Sequence, residues 1–551
     1  MLYDNLVTMG MTQNGEYLSI LPKMANRHGL IAGATGTGKT ITLKVMAEAF
    51  SDAGVPVFLS DVKGDLAGMC EPGVDNENMQ SRIAYFKLAE KGFGYQSYPT
   101  RFWDLLGQKG IPLRTTVSDF GPLLFSRLLN LNQTQSDILT IVFKICDDNQ
   151  VLLLDMKDLK AALNYCADHA AMFKADYGNI APQSVAAIMR ALVALEEKGA
   201  NYFFGEPNLN IEDFFRTSND GKGLINVLAA DSLINDPTLY STFLLWLLSE
   251  LFEVMPEVGD QEKPKMVFFF DEAHLLFNRC PDALLEKIEQ VVKLIRSKGI
   301  GVYFITQNPK DIPDGILSQL GNKIQHALHA YTPKEMKGIH AAAQSFRTNP
   351  EFDTEEAIQN LGTGEAVVSF LQNDGTPSVV QIAKILPPQS KMGIIDDNMR
   401  SRVIASDELC NKYTVMEDRE SAYEVVQKLY EEEAEAAQEA VEALLKEKQD
   451  AIAAKEAAKA EEKAAREAAK AEAKAIKDAE KAAAKEAKEK EAAAKRLKRK
   501  ANTVAGSAVG TIGRELGNTL GESLGGSFGK KIGGNVGATL GRGILSTLFK
   551  L

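Results

Sequence analysis

One stretch of eight residues decides the fold: Gly33-Ala34-Thr35-Gly36-Thr37-Gly38-Lys39-Thr40. It fits the pattern G-x-x-x-x-G-K-[ST] at every defined position, with an apolar run before it and a helix-forming run, 41–50, after it. Glycines let the backbone curl so that its N–H groups face phosphate oxygens, and the helix N-terminus favours the same anion. We expect all eight residues to bind ATP, with Lys39 at the β- and γ-phosphates and Thr40 on Mg²⁺. A plain glycine-rich turn is the alternative.

A second apolar run ends in two carboxylates. Its residues are Met266-Val267-Phe268-Phe269-Phe270, and Asp271 and Glu272 follow directly. Strand ends in parallel sheets open into the ligand crevice. We therefore expect Asp271 to hold Mg²⁺, directly or through water, and Glu272 to polarise the attacking water. A carboxylate pair that caps the next helix is the alternative, and the glycine-rich motif in the same chain favours the first interpretation.

Three further positions belong to the same hypothesis. Gln307 follows the strand-like run 301–306, where its amide would meet the γ-phosphate or the attacking water, unless it simply starts a turn. Arg296 ends the preceding helix, just before Gly299. It would stabilise transition-state charge in a neighbouring subunit's site, or act only as a cation at a capped helix C-terminus. Asp61 would support the site from the next strand or form an ordinary turn. The sequence leaves these alternatives open.

Strand-like and helix-like runs alternate through the first 415 or so residues. Nearly continuous apolar strands separated by helices are typical of a parallel sheet covered on both faces. Between residues 123 and 198, Leu, Ile and Ala recur at three- and four-residue spacings, which predicts an all-α insertion. The prediction is an α/β fold with a P-loop core at 1–120 and 200–395, a helical insertion at 121–199 and a linker at 396–420.

The carboxyl-terminal residues differ in composition. Residues 421–500 are dominated by Ala, Glu and Lys and contain neither Pro nor Gly, which predicts a long charged helix or a coiled coil. In the tail, 501–551, a glycine preceded by an apolar residue recurs every four residues from Gly513 to Gly541. Such spacing allows close helix packing against a partner or a membrane, and a disordered tail is the alternative. The basic residues 495–500 would suit anionic lipid or nucleic acid.

Composition excludes several classes of protein. The net charge of -12 argues against a protein that coats nucleic acid with its whole surface, although a local basic channel remains compatible. The five cysteines form no C-x-x-C pair, so neither zinc nor redox chemistry is expected and the thiols are typical of the cytosol. No export signal and no run of 18 apolar residues is visible. We expect a cytoplasmic protein, with peripheral contact at the inner membrane face through the tail as a further candidate.

The motifs resemble the HerA-like branch of the HerA–FtsK ATPases. The matching pieces are GATGTGKT at 33–40, DVKGD at 61–65, FFFDEAH at 268–274, RSKG at 296–299 and ITQNP at 305–309, with later segments at 317–322 and 361–377. The resemblance covers residues 15–395. It implies a RecA-like core, hexameric rings and ATP-driven movement of DNA through the pore. It also implies that Lys39 and Thr40 bind nucleotide, Glu272 is catalytic, Gln307 senses the γ-phosphate and Arg296 is a candidate arginine finger.

Two functions remain open from the sequence. The first is a ring-forming homo-oligomeric DNA translocase or helicase-like motor. The second is a membrane-associated assembly ATPase that acts on a protein or envelope partner, which the long helix and the glycine tail favour. A nucleotide-binding scaffold with little turnover is disfavoured, because Glu272 stands beside Asp271.

Overall fold

The computed structural model describes residues 2–233, 236–259, 261–277 and 282–486. Two compact units divide the chain, and the boundary falls between Tyr423 and Glu424. The basic residues 495–500 and the glycine tail, 501–551, lie outside the described residues, so the expectations for them stay predictions.

The first unit is built on one mixed sheet. In chain order its strands are β1 (Leu2–Tyr3), β2 (Leu6–Thr12), β3 (Tyr17–Ile20), β4 (Gly29–Ala32), β5 (Val57–Asp61), β6 (Thr100–Asp104), β7 (Ile111–Pro112), β8 (Ile225–Ala229), β9 (Met266–Phe270), β10 (Ile300–Thr306), β11 (Asn322–Gln325), β12 (Glu365–Ser369) and β13 (Gln381–Ile385). Across the sheet they run β1-β2-β13-β12-β11-β4-β10-β9-β5-β8-β6-β7, and β3 pairs with β2. Every neighbouring pair from β11 to β7 is parallel, and the remaining pairs are antiparallel. The predicted α/β fold with a parallel-rich sheet is confirmed.

Helices cover the sheet and fill the long connections. They are α1 (Lys39–Asp52), α2 (Glu77–Tyr85), α3 (Val117–Leu128), α4 (Gln133–Asp148), α5 (Met156–Asp168), α6 (Ala170–Tyr177), α7 (Pro182–Glu196), α8 (Ala200–Phe203), α9 (Pro237–Val254), α10 (His274–Phe277), α11 (Asp282–Leu294), α12 (Asp314–Leu317), α13 (Pro333–Gln344), α14 (Thr354–Asn360), α15 (Asp397–Ser406), α16 (Cys410–Thr414) and α17 (Ala422–Glu486). Helices α3 to α8 lie between β7 and β8, where the sequence predicts an insertion.

The central strands are buried along their whole length, because helices pack on both faces. All five residues of β9 and all seven of β10 are buried. Helix α1 lies across this part of the sheet, and the Phe50 ring on it contacts the rings of Phe269 and Tyr303 at centroid distances of 6.5 and 6.3 Å. This packing sets the direction of α1, and so the position of the loop that precedes it.

The structure differs from the expected linker at 396–420. These residues include α15 and α16, which join the first unit. The Arg101 guanidinium on β6 pairs with Asp407 at 2.7 Å, and the buried Asp213 carboxylate accepts hydrogen bonds from Lys412 and the Tyr413 hydroxyl, each at 2.6 Å. The polar composition of these residues indicates a linker. In the structure, their polar side chains instead contact residues about 200 to 300 positions away in the sequence.

The predicted long carboxyl-terminal helix is confirmed as far as Glu486, since α17 runs for 65 residues. Its start is fixed by the buried carboxylate of Asp158 on α5, which accepts from the Ser421 hydroxyl at 2.6 Å and from the Tyr423 N–H at 2.8 Å. No single helix among the described residues has the length and apolarity of a membrane span. Helices α6 and α7 meet that test only as a pair, and they are bent by 101° at the break between them.

Candidate active site

The glycine-rich loop joins β4 to α1 and needs glycine at two positions. The φ angle of Gly38 is +115°, in the region that other residues rarely adopt, and α1 begins directly after it. At Gly33, a Cβ atom would lie 2.5 Å from the Cβ of His326 and 2.9 Å from the Thr37 hydroxyl. The motif therefore curls the chain tightly against its neighbours at the end of β4.

The curled loop leaves donors free for an anion. Within the described residues, no backbone carbonyl accepts from the N–H groups of Gly36, Gly38 or Lys39. The Lys39 ammonium is folded over the loop and donates to the carbonyls of Gly33 at 2.6 Å and Ala34 at 3.0 Å. Burial lowers the pKa of Lys39, an effect that the charges of Glu272 and Asp271 oppose. A phosphate group placed here would meet both the free N–H groups and the ammonium.

His326 packs against the phosphate-binding loop. This residue was not predicted from the sequence. It follows β11, and burial lowers its pKa to about 4, so the ring is neutral at neutral pH. Its Nδ1 lies 2.8 Å from the Glu365 carbonyl and its Nε2 lies 2.7 Å from the Thr42 hydroxyl on α1. A carbonyl can only accept, so we assign the proton to Nδ1 and Nε2 accepts from Thr42. No pattern in the sequence links position 326 to the motif.

The two carboxylates at the end of β9 lie at the same edge of the sheet as the loop. The registers pair Ala32 with Thr306 and Phe270 with Phe304, so β4, β9 and β10 end close together. Desolvation, followed by the neighbouring charge of Glu272, raises the pKa of Asp271 to about 7. The Glu272 N–H donates to Asp271 at 2.9 Å, and the φ angle of Glu272 is +49°. A left-handed glutamate is strained, and such strain is concentrated at functional sites.

Glu272 is surrounded by polar groups at this edge. The Gln307 amide, at the end of β10, lies 3.4 Å from its Oε2, and the His274 Nδ1 lies 3.3 Å from the same atom. The pKa of Glu272 is lowered, first by His274 and then also by Gln307. The carboxylate is therefore ionised at neutral pH, as a group that polarises water must be.

Arg296 lies elsewhere in the same chain. It is part of a 3₁₀ turn, Ile295–Lys298, that ends at Gly299, and the Gly299 N–H donates to the Arg296 carbonyl at 2.9 Å. Strand β10 begins directly after this turn and runs to Thr306. Arg296 therefore lies near the N-terminal end of β10 and Gln307 at its C-terminal end, about 20 Å apart by strand length. The structure thus brings together Lys39, Glu272 and Gln307 but not Arg296, whose action in a neighbouring subunit stays a prediction.

Comparison with known proteins identifies the family to which the chain belongs. The model of the family described as helicase HerA-like, C-terminal, matches residues 7–550. The chain belongs to this HerA-like family. It is 23% identical over 363 residues to the DNA double-strand break repair helicase HerA of Sulfolobus acidocaldarius, an alignment that covers 62% of each chain. It is 28% identical over 182 residues to the protein of the same name from Sulfurisphaera tokodaii, covering 32% of this chain and 34% of that one.

The HerA-like chain spans 62% or less of the length of these two relatives. Among solved structures it is similar to the bacterial conjugative coupling protein TrwB, with 14% identity and a TM-score of 0.45 over 70% of this chain and 90% of that chain. The family assignment thus rests on the match along the sequence, and the fold assignment rests on the sheet described above.

The oxygen groups of this HerA-like site fit a magnesium ion bound together with a nucleotide. The Thr40 hydroxyl at the start of α1 and the Asp271 carboxylate are the hard ligands that Mg²⁺ prefers. Burial, followed by the charge of Glu272, raises the pKa of Asp271, and a divalent cation beside this carboxylate would favour its ionised form. No group of three or more His, Cys, Asp or Glu side chains suited to a metal occurs in the described part of the chain. An ion here would take most of its other ligands from phosphate and water.

Asp61 has a structural task beside this site. It ends β5, next to β9, and its carboxylate accepts from the N–H groups of Gly64 at 2.7 Å and Ala67 at 2.9 Å. Burial, followed by the charge of Asp65, raises its pKa to about 6. The two hydrogen bonds fix the turn after β5, which is the alternative that the sequence left open for this residue.

Proposed function

We propose that this HerA-like chain is an ATP-hydrolysing motor that acts on DNA. The observation that carries the proposal is the meeting of Lys39, Glu272 and Gln307 at the ends of three adjacent parallel strands. A phosphate cradle needs only the loop, whereas hydrolysis also needs a group that activates water within reach of the γ-phosphate. Here the ionised Glu272, with Gln307 at 3.4 Å, supplies that group.

Each residue has a defined task in this proposal. The N–H groups of residues 33–40 and the Lys39 ammonium bind the β- and γ-phosphates. Thr40 and Asp271 hold Mg²⁺, which offsets phosphate charge when it is bound. Glu272 orients the attacking water and takes up its proton, and Gln307 holds the same carboxylate and the water in line. Asp271 also positions Glu272 through the hydrogen bond from its N–H.

A ring of several copies is part of the proposal, since Arg296 lies away from its own nucleotide site. In a ring, the surface that carries Arg296 would face the phosphate-binding loop of the next copy. An arginine there would stabilise the charge of the transition state. DNA as the substrate is supported by family membership and by the relatives named as DNA repair helicases.

The test is ATP hydrolysis by the purified chain with and without double-stranded DNA, at one low salt concentration. We expect Mg²⁺-dependent phosphate release that DNA increases several-fold, and no release by Lys39→Ala under either condition. The matched control is Lys174→Ala, an exposed lysine on α6, which should behave as the wild type. Hydrolysis that double-stranded DNA of any tested length leaves unchanged would refute DNA as the substrate and leave the ATPase assignment intact.

A further inference from the structure

The turn after β5 brings a second lysine to the edge of the sheet that carries the proposed nucleotide site. Strands β5 and β9 are parallel, with Val57 beside Val267 and Leu59 beside Phe269. Beyond this register the Tyr240 hydroxyl joins the two strand ends, since it donates to the Asp271 carbonyl at 3.0 Å and lies 2.6 Å from the Ser60 hydroxyl. Lys63 therefore emerges two residues beyond the end of β5, at the same ends of the strands as the carboxylate pair that follows β9.

Hydrogen bonds between the residues before and after Lys63 fix the conformation of its turn. The Asp61 carboxylate accepts from Gly64 and Ala67, and Gly64 itself has a φ of +80°. The Lys63 side chain is exposed and, in the part of the chain that the structure describes, its ammonium forms no ion pair. A lysine at the tip of a fixed turn, with its charge not used for internal contacts, is available to a ligand.

The charge of Lys63 acts on three groups of the site at once. Burial lowers the pKa of Lys39, and the Lys63 ammonium adds to that lowering. Desolvation raises the pKa of Asp271, and Lys63 opposes the change. His274 is the main cause of the lowered pKa of Glu272, and Lys63 contributes in the same direction. Lys39 follows β4, the two carboxylates follow β9 and Lys63 follows β5, so all of these groups lie where the parallel strands end.

The γ-phosphate lies at these strand ends if the proposed function is correct. We propose that Lys63 is a second phosphate-binding cation, which contacts the γ-phosphate of ATP and stabilises the charge that gathers on it during hydrolysis. In that step the water oxygen bonds to the γ-phosphorus and the bond from the γ-phosphorus to the bridging oxygen breaks. The water proton passes to Glu272 and then to the phosphate product, and ADP leaves. Lys63 transfers no proton in this step and acts only through its charge.

The inference rests on the proposed ATPase function and makes a distinct prediction. ADP has no γ-phosphate, so its binding does not need Lys63. ATP and slowly hydrolysed analogues do need it, because the charge of a γ-phosphate must be balanced in a site that already holds Asp271 and Glu272. Arginine keeps the charge and methionine keeps much of the length without it, so these two substitutions separate charge from shape.

The experiment compares the wild type, Lys63→Met, Lys63→Arg and the control Lys174→Ala. Steady-state hydrolysis gives kcat and KM for ATP, and equilibrium fluorescence titration gives the affinities for ADP and ATPγS. We expect Lys63→Met to lower kcat by about 10- to 100-fold and to weaken ATPγS binding, with ADP binding within about 2-fold of wild type. Lys63→Arg should recover much of both losses, and the control should change neither.

Two results would overturn the inference while the proposed function stands. One is wild-type kcat and ATPγS affinity in Lys63→Met. The other is an equal loss of affinity for ADP and ATPγS, which would indicate a general change in the site. Absence of ATP hydrolysis by the wild type itself would overturn the proposed function, and this inference with it.

Discussion

Substituting Glu48 should loosen the carboxyl-terminal part of the core from the phosphate-loop helix. Glu48 lies on α1, nine residues after Lys39, and is fully buried. One carboxylate oxygen accepts from the Gln389 N–H at 2.8 Å, and the other accepts from the Ser390 N–H at 3.0 Å and from the Ser390 hydroxyl. These three bonds tie α1 to the segment that follows β13.

The expected cost follows from the donors left behind. Glu48→Ala removes the acceptor of two buried backbone N–H groups, and a buried donor without a partner costs about 1–3 kcal/mol, so the pair costs about 2–6 kcal/mol. Glu48→Gln keeps one acceptor oxygen but turns an NH₂ group toward an N–H donor, which should cost about 1–3 kcal/mol. The exposed Glu16→Gln is the matched control and should stay within about 0.5 kcal/mol of wild type.

Tryptophan fluorescence during urea unfolding measures this effect. The chain has two tryptophans, Trp103 and Trp246, both buried in the first unit, so the signal follows that unit alone. The free energy of unfolding in water is obtained by linear extrapolation. A Glu48→Ala chain that unfolds within about 0.5 kcal/mol of the wild type would refute the reasoning, since the three bonds would then contribute nothing measurable.

Three other substitutions or treatments test the site. Gln307→Ala should lower kcat for ATP hydrolysis with little change in ADP affinity. A loss of ADP affinity as large as the loss of kcat, measured by titration, would contradict a role near the γ-phosphate. Arg296→Ala should bind ATP but turn over slowly, and mixing it with Glu272→Gln should restore some activity at mixed interfaces. No recovery in confirmed mixed rings would leave Arg296 as a helix cap. Chelation of Mg²⁺ should stop phosphate release, and re-addition should restore it; release that continues in excess EDTA would contradict the proposed role of Thr40 and Asp271.

Sequence reasoning predicted those parts of the site that depend on local pattern. The motif at 33–40 can be recognised as a phosphate-binding loop from the sequence alone, because its glycines and its Lys-Thr pair all lie within eight consecutive residues. The apolar runs before Asp271 and Gln307 predict buried strands, and parallel strands place their carboxyl ends at one edge. The structure confirms the fold that these patterns imply and brings Glu272 and Gln307 to 3.4 Å.

Features that depend on distant pairing could not be predicted. Strand β10 lies between β4 and β9, an order that no local pattern encodes. His326 is one buried histidine whose link to Thr42 joins positions 284 residues apart. Residues 396–420 resemble a linker because they are polar, yet Asp407 and Lys412 find their partners across the sequence. Lys63 is a lysine in a turn, and only the register of β5 against β9 gives it significance.

The most direct test of the account is phosphate release from ATP and Mg²⁺ by the purified chain, measured beside Glu272→Gln, with ATP binding measured on both proteins. Both proteins should bind ATP with similar affinity, because Glu272→Gln keeps the shape of the site. The wild type should release phosphate, and the variant should do so about 10²-fold more slowly, because an amide does not take up the proton of the attacking water. Equal rates of release from the two proteins would contradict the claim that Glu272 performs the chemistry at this site.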